Sequence, residues 1–155
     1  MTAATPEPAP LGAVGAPFEV LIERGKIREF AAAMQSESEA YQGPEAIIPP
    51  TFLTTATQWA PPGARVNVGF DRKRLLHGEQ EYVFHGPLPR VGDVLIAQER
   101  MAERFSKPGK RGGDMHFAVV VTEFRSPAGE LVAEAHGTFI QTAPKNPTPE
   151  EAPRD

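Results

Sequence analysis

From residue 79 the chain alternates in polarity. In EQEYVFH (79–85), Gln80, Tyr82 and Phe84 fall on one side of an extended strand, and Glu79, Glu81, Val83 and His85 on the other. VLIAQERMAERF (94–105), MHFAVVVTEF (115–124) and LVAEAHGTFIQT (131–142) follow as further strand candidates. The segments between them, HGPLPRVGD, SKPGKRGGD and SPAGE, are rich in glycine and proline, so the expected arrangement is an antiparallel meander. In the last segment Leu131, Ala133, Ala135 and Phe139 face one way, while Glu134, His136 and Thr138 face the other. That predicts one core face and one wetter face.

The first third reads differently. FEVLI (18–22) suits a short strand, and ERGKIREFAAAM (23–34) has helical spacing, with Ile27, Phe30, Ala31 and Met34 on one face. A loop follows, punctuated by Gly43-Pro44 and Pro49-Pro50. TFLTTATQW (51–59) predicts a buried helix that places Phe52, Thr55, Ala56 and Trp59 together and stops before Pro61-Pro62. The fold class is therefore α+β, a buried helix wrapped by an antiparallel sheet. Residues 1–16 and 143–155 lack the bulky apolar content that would offset their ordering entropy, so both are expected to be disordered tails around one domain over 17–142.

Composition narrows the function classes. A net charge of −4 argues against a general nucleic-acid binder. The absence of cysteine excludes disulfides, thiolate zinc sites and cysteine nucleophiles, and is compatible with a cytoplasmic protein. No apolar run approaches the roughly 20 residues of a membrane helix, and the start does not read as a signal peptide.

Candidate chemistry is sparse. His77 and His85 lie about 26 Å apart if the strand is extended, at roughly 3.3 Å per residue, too far to share one metal ion. His77, beside Gly78 at a strand start, is a candidate neighbour of substrate or else a hydrogen-bonding histidine. His85, before Gly86-Pro87, is expected to be structural. SKPGKRGGD (106–114) gathers Lys107, Lys110 and Arg111 around glycines including Gly112, a composition suited to phosphate or to an ordinary charged turn. Arg72, Lys73 and Arg74 form a second basic cluster, suited to an anionic partner or to a solvated loop. Phe52 and Trp59 are candidates to line an apolar binding space, with core packing as the alternative.

Four segments carry a family resemblance. IIPPTFL (47–53), HGEQEYVFHGPLPRVGDVL (77–95) and the pair KRGGDMHFAVVVTEF with GELVAEAHGTFI are similar to the corresponding segments of the MaoC-like dehydratase N-terminal family. GKIREFAAAMQ (25–35) resembles its first helix. The resemblance covers about 18–142 and implies a hot-dog fold, a thioester substrate carrying coenzyme A or phosphopantetheine, no further cofactor, and a hot-dog partner. With such a substrate, Phe52 and Trp59 are candidates to line an acyl tunnel, and Arg72, Lys73 and Arg74 to meet the nucleotide of coenzyme A or an acidic carrier protein.

Catalytic relatives in that family carry an Asp and a His in a D-x-N-P-x-H pattern after the first helix. Hydration needs a base to take a proton from water and an acid to protonate the α carbon. Here the matching stretch is SESEAY (36–41), which puts Ser36 at the Asp position and Tyr41 at the His position. A serine hydroxyl is no base at neutral pH, and a tyrosine ordinarily titrates near about 10. No Asp or His occurs anywhere between 34 and 58, so a slip in alignment restores neither. The resemblance thus implies a subunit of an (R)-specific enoyl-thioester hydratase or 3-hydroxyacyl-thioester dehydratase that lacks the dyad and pairs with a catalytic hot-dog chain, or with itself as a dimer or dimer of dimers. One counter-reading is a substitute site of Glu37, Glu39 and His77. Another is a homodimeric acyl-CoA-binding or thioesterase protein, disfavoured because TFLTTATQW holds no carboxylate to activate water.

Overall fold

The computed structural model describes residues 7–110 and 112–144. Its strands are β1 (Phe18–Leu21), β2 (Leu75–Phe84), β3 (Val94–Pro108), β4 (Asp114–Arg125) and β5 (Leu131–Gln141). They form one antiparallel sheet in the order β1–β3–β4–β5–β2. One α-helix, α1 (Arg24–Ala33), and a 3-10 helix over Phe52–Gln58 lie against its inner face.

The expected meander holds for β3, β4 and β5 and fails for β2, which pairs with β5 rather than with its successor. Register explains the preference. Tyr82 lies opposite Ala135 and Phe84 opposite Ala133, so two aromatics extend an inner row of small residues. The segment after β2 is consequently a crossover instead of a hairpin. It is tied to the loop before the 3-10 helix by Ile48 N–H to Pro89 O and Val91 N–H to Ala46 O, both 2.9 Å.

Alternation builds the core floor. Leu95, Ala97, Phe124, Ala133 and Ala135 point inward, and Ile27, Phe52, Leu53 and Ala56 close over them. The alanines leave room for Phe52, whose ring meets Phe30 edge-on at 5.5 Å. The expected α-helix over 51–59 is a 3-10 helix because threonines dominate it. Thr55 and Thr57 donate their hydroxyls to the carbonyls three residues back, at 2.8 and 3.0 Å, a competition that tightens the turn. Two further face assignments are corrected. Trp59 is 54% exposed and Met34 42%; the helix ends at Ala33, and Gln35 turns the chain away with φ +56°.

The N-terminal expectation also changes. Residues 1–6 and 145–155 lie outside the described residues, but 9–16 run along the sheet. Gly12 N–H donates to Met101 O, Met101 N–H to Ala13 O, and Gly15 N–H to Glu99 O, each at 2.9 Å. The cause is the shortness of β1, which pairs with β3 only over Val94 to Ala97. Beyond that, β3 presents free backbone groups that 9–16 satisfy. The approach is close enough that a Cβ on Gly15 would fall 1.9 Å from Ala64 O. This arm and the 64–70 segment cover a second small core of Met101, Ala118 and Val120.

Candidate functional site

Ser36 and Tyr41 occupy the exit of α1. Ser36 N–H donates to Ala31 O at 2.9 Å, and Ser38 caps the next turn by accepting from Ala40 N–H at 3.3 Å. Ser36 and Tyr41 lie in the wall of an open cleft of about 720 Å³ that Arg24, Arg28, Glu37 and Gln42 also line. No histidine or aspartate contributes to that wall. The cleft holds hydroxyls, guanidinium groups and one exposed carboxylate, but no base facing an acid across a water. Glu37 sits in this cleft, whereas His77 is on β2. The substitute site of Glu37, Glu39 and His77 is thus not assembled in one cavity.

A second space lies between the 3-10 helix and the sheet. It is small, about 50 Å³, and its walls include Leu53, Thr54, Thr57, Gln80, Tyr82 and Phe139. Its floor reaches Gly137, where an added Cβ would come within 3.4 Å of both the Gln80 carboxamide oxygen and the Phe139 ring. Glycine inside a strand marks a place where something approaches closely. His77 stacks on the same Phe139 ring at 5.2 Å, so it stands next to this space. The bulge between His77 and Glu79, with Gly78 at its centre, lets His77 and Gln80 both point to the inner face. Phe52 and Trp59 do not line this space. They border a notch of about 210 Å³ on the β1 side, with Leu21, Lys26 and Thr55, and the Lys26 ammonium sits 4.5 Å from the Trp59 ring centroid.

β2 pairs only with β5 and is one border of the sheet. Residues 76–81 along it are exposed. An unpaired strand edge is a template for another strand. Lys110 and Gly112 lie in the β3–β4 hairpin, clear of the two inner spaces, and Arg111 lies outside the described residues. Asp71 caps the Arg72–Arg74 turn. Its carboxylate accepts from Lys73 N–H at 3.0 Å and faces Arg74 at 3.2 Å, and these contacts hold its pKa below the ordinary carboxylate value.

Two clusters lie outside the candidate residues of the sequence. Glu99, 5% exposed, accepts from Val66 N–H at 2.9 Å and faces Arg65 at 3.5 Å. Burial pushes its carboxyl above the usual range against those two partners. A charge among Leu95, Ala97 and Met101 on the core-facing phase of β3 was the available signal. On the outer face His85 and Glu134 meet at 2.8 Å, with His136 Nε2 3.7 Å from the other carboxylate oxygen. That is a cross-strand tie between β2 and β5, in keeping with a structural His85.

The geometry now meets known proteins. Residues 9–135 match the family model "FAS1-like, dehydratase domain region", so the match includes most of the N-terminal arm. A UPF0336 protein of Streptomyces coelicolor is 36% identical over 140 residues, covering 83% of this chain and 87% of that one. A solved HadBC (3R-hydroxyacyl-ACP dehydratase) complex from Mycobacterium tuberculosis superposes with a TM-score of 0.66 at 23% identity, over 84% of this chain and 96% of that chain. A MaoC-like dehydratase gives a TM-score of 0.71 at 21% identity, over 84% of this chain and 42% of the other, longer one. The expected hot-dog fold and MaoC-like resemblance are thereby borne out. The chain belongs to the FAS1-like dehydratase-region family of hot-dog proteins.

Proposed function

We propose that this chain is the non-catalytic subunit of an (R)-specific enoyl-thioester hydratase or 3-hydroxyacyl-thioester dehydratase, with the Asp/His dyad supplied by a hot-dog partner. The observation that carries this reading is the content of the α1 cleft. Ser36 and Tyr41 stand where catalytic relatives carry an acid and a base, and no Asp or His lies between 34 and 58. A partner supplying that pair would complete the water addition: a base deprotonates water as it attacks the β carbon, and an acid delivers the proton to the α carbon.

This chain's own contributions follow from its geometry. The free edge of β2 offers about 33 Å of strand for pairing, at roughly 3.3 Å per residue. Glu79 and Glu81 on that strand select against indiscriminate partners. Leu53, Thr57, Gln80 and Tyr82 would shape one wall for the acyl group, and His77 would stand at its mouth. By its basic, glycine-rich composition, the hairpin segment with Lys110, Arg111 and Gly112 is the candidate to meet the far end of the thioester, whether coenzyme A or a protein-borne phosphopantetheine. The HadBC neighbour is itself a complex, and its printed name gives a hydroxyacyl-ACP dehydratase.

The test is hydration of crotonyl-CoA by the purified chain alone and after co-expression with a hot-dog chain carrying D-x-N-P-x-H. Turnover confined to the co-purified complex supports the reading. Robust turnover by the chain alone overturns it.

A further inference from the structure

We infer that the inner face of the sheet, at the end nearest the β3–β4 hairpin, holds a binding pocket for a small monocarboxylate, built around Arg104, His116 and Gln141. The pocket stands apart from the thioester reading above and does not depend on it. A cavity of about 310 Å³ opens there, with Phe70, Arg104, Ser106, His116 and Gln141 among its walls. Among the described residues that line it, Arg104 alone carries a permanent positive charge and none is acidic.

Register builds the pocket. Ser106 lies opposite His116, and His116 opposite Gln141. Arg104, two residues before Ser106 on β3, lies opposite Ala118. Cross-strand partners, and residues two apart on one strand, share a face. Ala118 is buried in the second core, so these four polar side chains extend the inner face beyond that core, beside Phe70, which packs against it.

The polar groups are held ready. Arg104 Nη1 donates to Val68 O at 3.0 Å, and its guanidinium carbon lies 5.4 Å from the Phe70 ring centroid. That leaves the Nε–Nη2 side of the fork open. Among the described residues no acid forms an ion pair with Arg104. Gln141 Oε1 accepts from Asp71 N–H at 2.6 Å, which commits the oxygen and leaves the amide NH2 to donate. His116 Nδ1 meets Ser106 Oγ at 2.8 Å. With the hydroxyl donating there, Nε2 carries the ring proton and is a further donor.

Charge and donor type select the ligand. One guanidinium balances one negative charge, and its planar fork takes a carboxylate through two parallel hydrogen bonds. A phosphate dianion would leave a charge unmatched. Lys107, the next cation along β3, lies over the Phe105 and Phe117 rings at 5.0 and 5.5 Å instead of lining the cavity. A metal ion would find one imidazole and no carboxylate in these walls. The volume is near the lower end for small-molecule pockets, about 300 Å³, and the Phe70 ring gives the acid's carbon skeleton a surface beside the fork.

The experiment titrates butyrate and benzoate into the full chain at constant ionic strength, read by proton–nitrogen NMR correlation spectra that include the Arg104 Nε and the Gln141 side-chain amide. The pocket predicts saturable shifts at Phe70, Arg104, His116 and Gln141, with Kd of about 1 mM for benzoate. Arg104→Lys keeps the charge and loses the fork, so Kd should rise about tenfold. Because it also loses the bond to Val68 O, its Tm is recorded beside wild type. His116→Ala, at an exposed position, probes the pocket without that bond and should weaken binding about fivefold. Lys107→Ala should leave Kd within about twofold. Shifts that do not saturate, or a His116→Ala chain that binds as tightly as wild type, overturn the proposal. So does inorganic phosphate or coenzyme A bound at the same residues as tightly as benzoate, which would make the pocket a phosphate site.

Discussion

Glu99 offers a quantitative test of how the arm and the 64–70 segment are held. Glu99→Ala removes the acceptor for Val66 N–H and the partner of Arg65. Arg65 is 58% exposed, so its ion pair is screened and adds little. The larger loss is the stranded Val66 donor, about 1–3 kcal/mol. At about 2–4 °C per kcal/mol for a chain of this size, Tm should fall by roughly 5 °C. Glu99→Gln keeps a carbonyl oxygen for Val66 and removes the buried charge. The folded-state carboxyl is raised by burial, so the folded chain holds its proton to higher pH than the unfolded chain. The stability linked to that proton is full below the unfolded value of about 4.3 and is lost as pH rises through the folded value. Relative to wild type, Glu99→Gln should therefore gain stability as pH rises. Thermal unfolding of both variants and wild type across mildly acidic to mildly alkaline pH checks this. An alanine variant as stable as wild type, or a glutamine variant that loses ground with rising pH, would refute it.

Three further perturbations probe the site and its frame. Gly137→Val should fill the space under the 3-10 helix, given contacts of 3.4 Å to Gln80 and Phe139 already at Cβ; the complex should show a higher KM for crotonyl-CoA with its assembly intact by size-exclusion chromatography. Phe124→Ala empties the best-buried aromatic position, 1% exposed. It should cost about 3–5 kcal/mol, read as a fall in the urea midpoint with the slope unchanged. His85→Ala removes a partly exposed tie, so its loss should stay under about 1 kcal/mol in the same titration.

Strand existence was legible because Tyr82, Phe84, Ala133 and Ala135 alternate cleanly with polar residues. Strand order was not. A period of two says which face a residue takes and nothing about which strand lies beside it, and HGPLPRVGD has the composition of a hairpin turn while serving as a crossover. The N-terminal arm was invisible for a related reason. Its residues offer little apolar surface, and what holds it is backbone hydrogen bonding to a stretch of β3 that β1 leaves unpaired. The 3-10 helix was placed correctly but mistyped, since helical spacing over 51–59 does not register threonine hydroxyls bonding to their own backbone. Of the site, the lack of Asp and His between 34 and 58 was legible because it is a matter of residue identity. Which side chains face the space under the 3-10 helix was not: the turn of that helix sets Phe52 and Trp59 beside the notch on the β1 side and Leu53, Thr54 and Thr57 beside the inner space. Arrival of β2 beside β5 adds Gln80 and Tyr82, a long-range fact no local pattern encodes.

If this chain is a non-catalytic subunit, the chemistry resides on its partner. The most direct measurement is the initial rate of crotonyl-CoA hydration by the isolated chain, by a D-x-N-P-x-H hot-dog partner alone, and by the two co-purified. No turnover is expected from this chain, a rate well above the partner's own from the assembled pair, and loss of that rate when the partner's Asp or His is replaced. Turnover by the isolated chain that survives loss of the partner would contradict it.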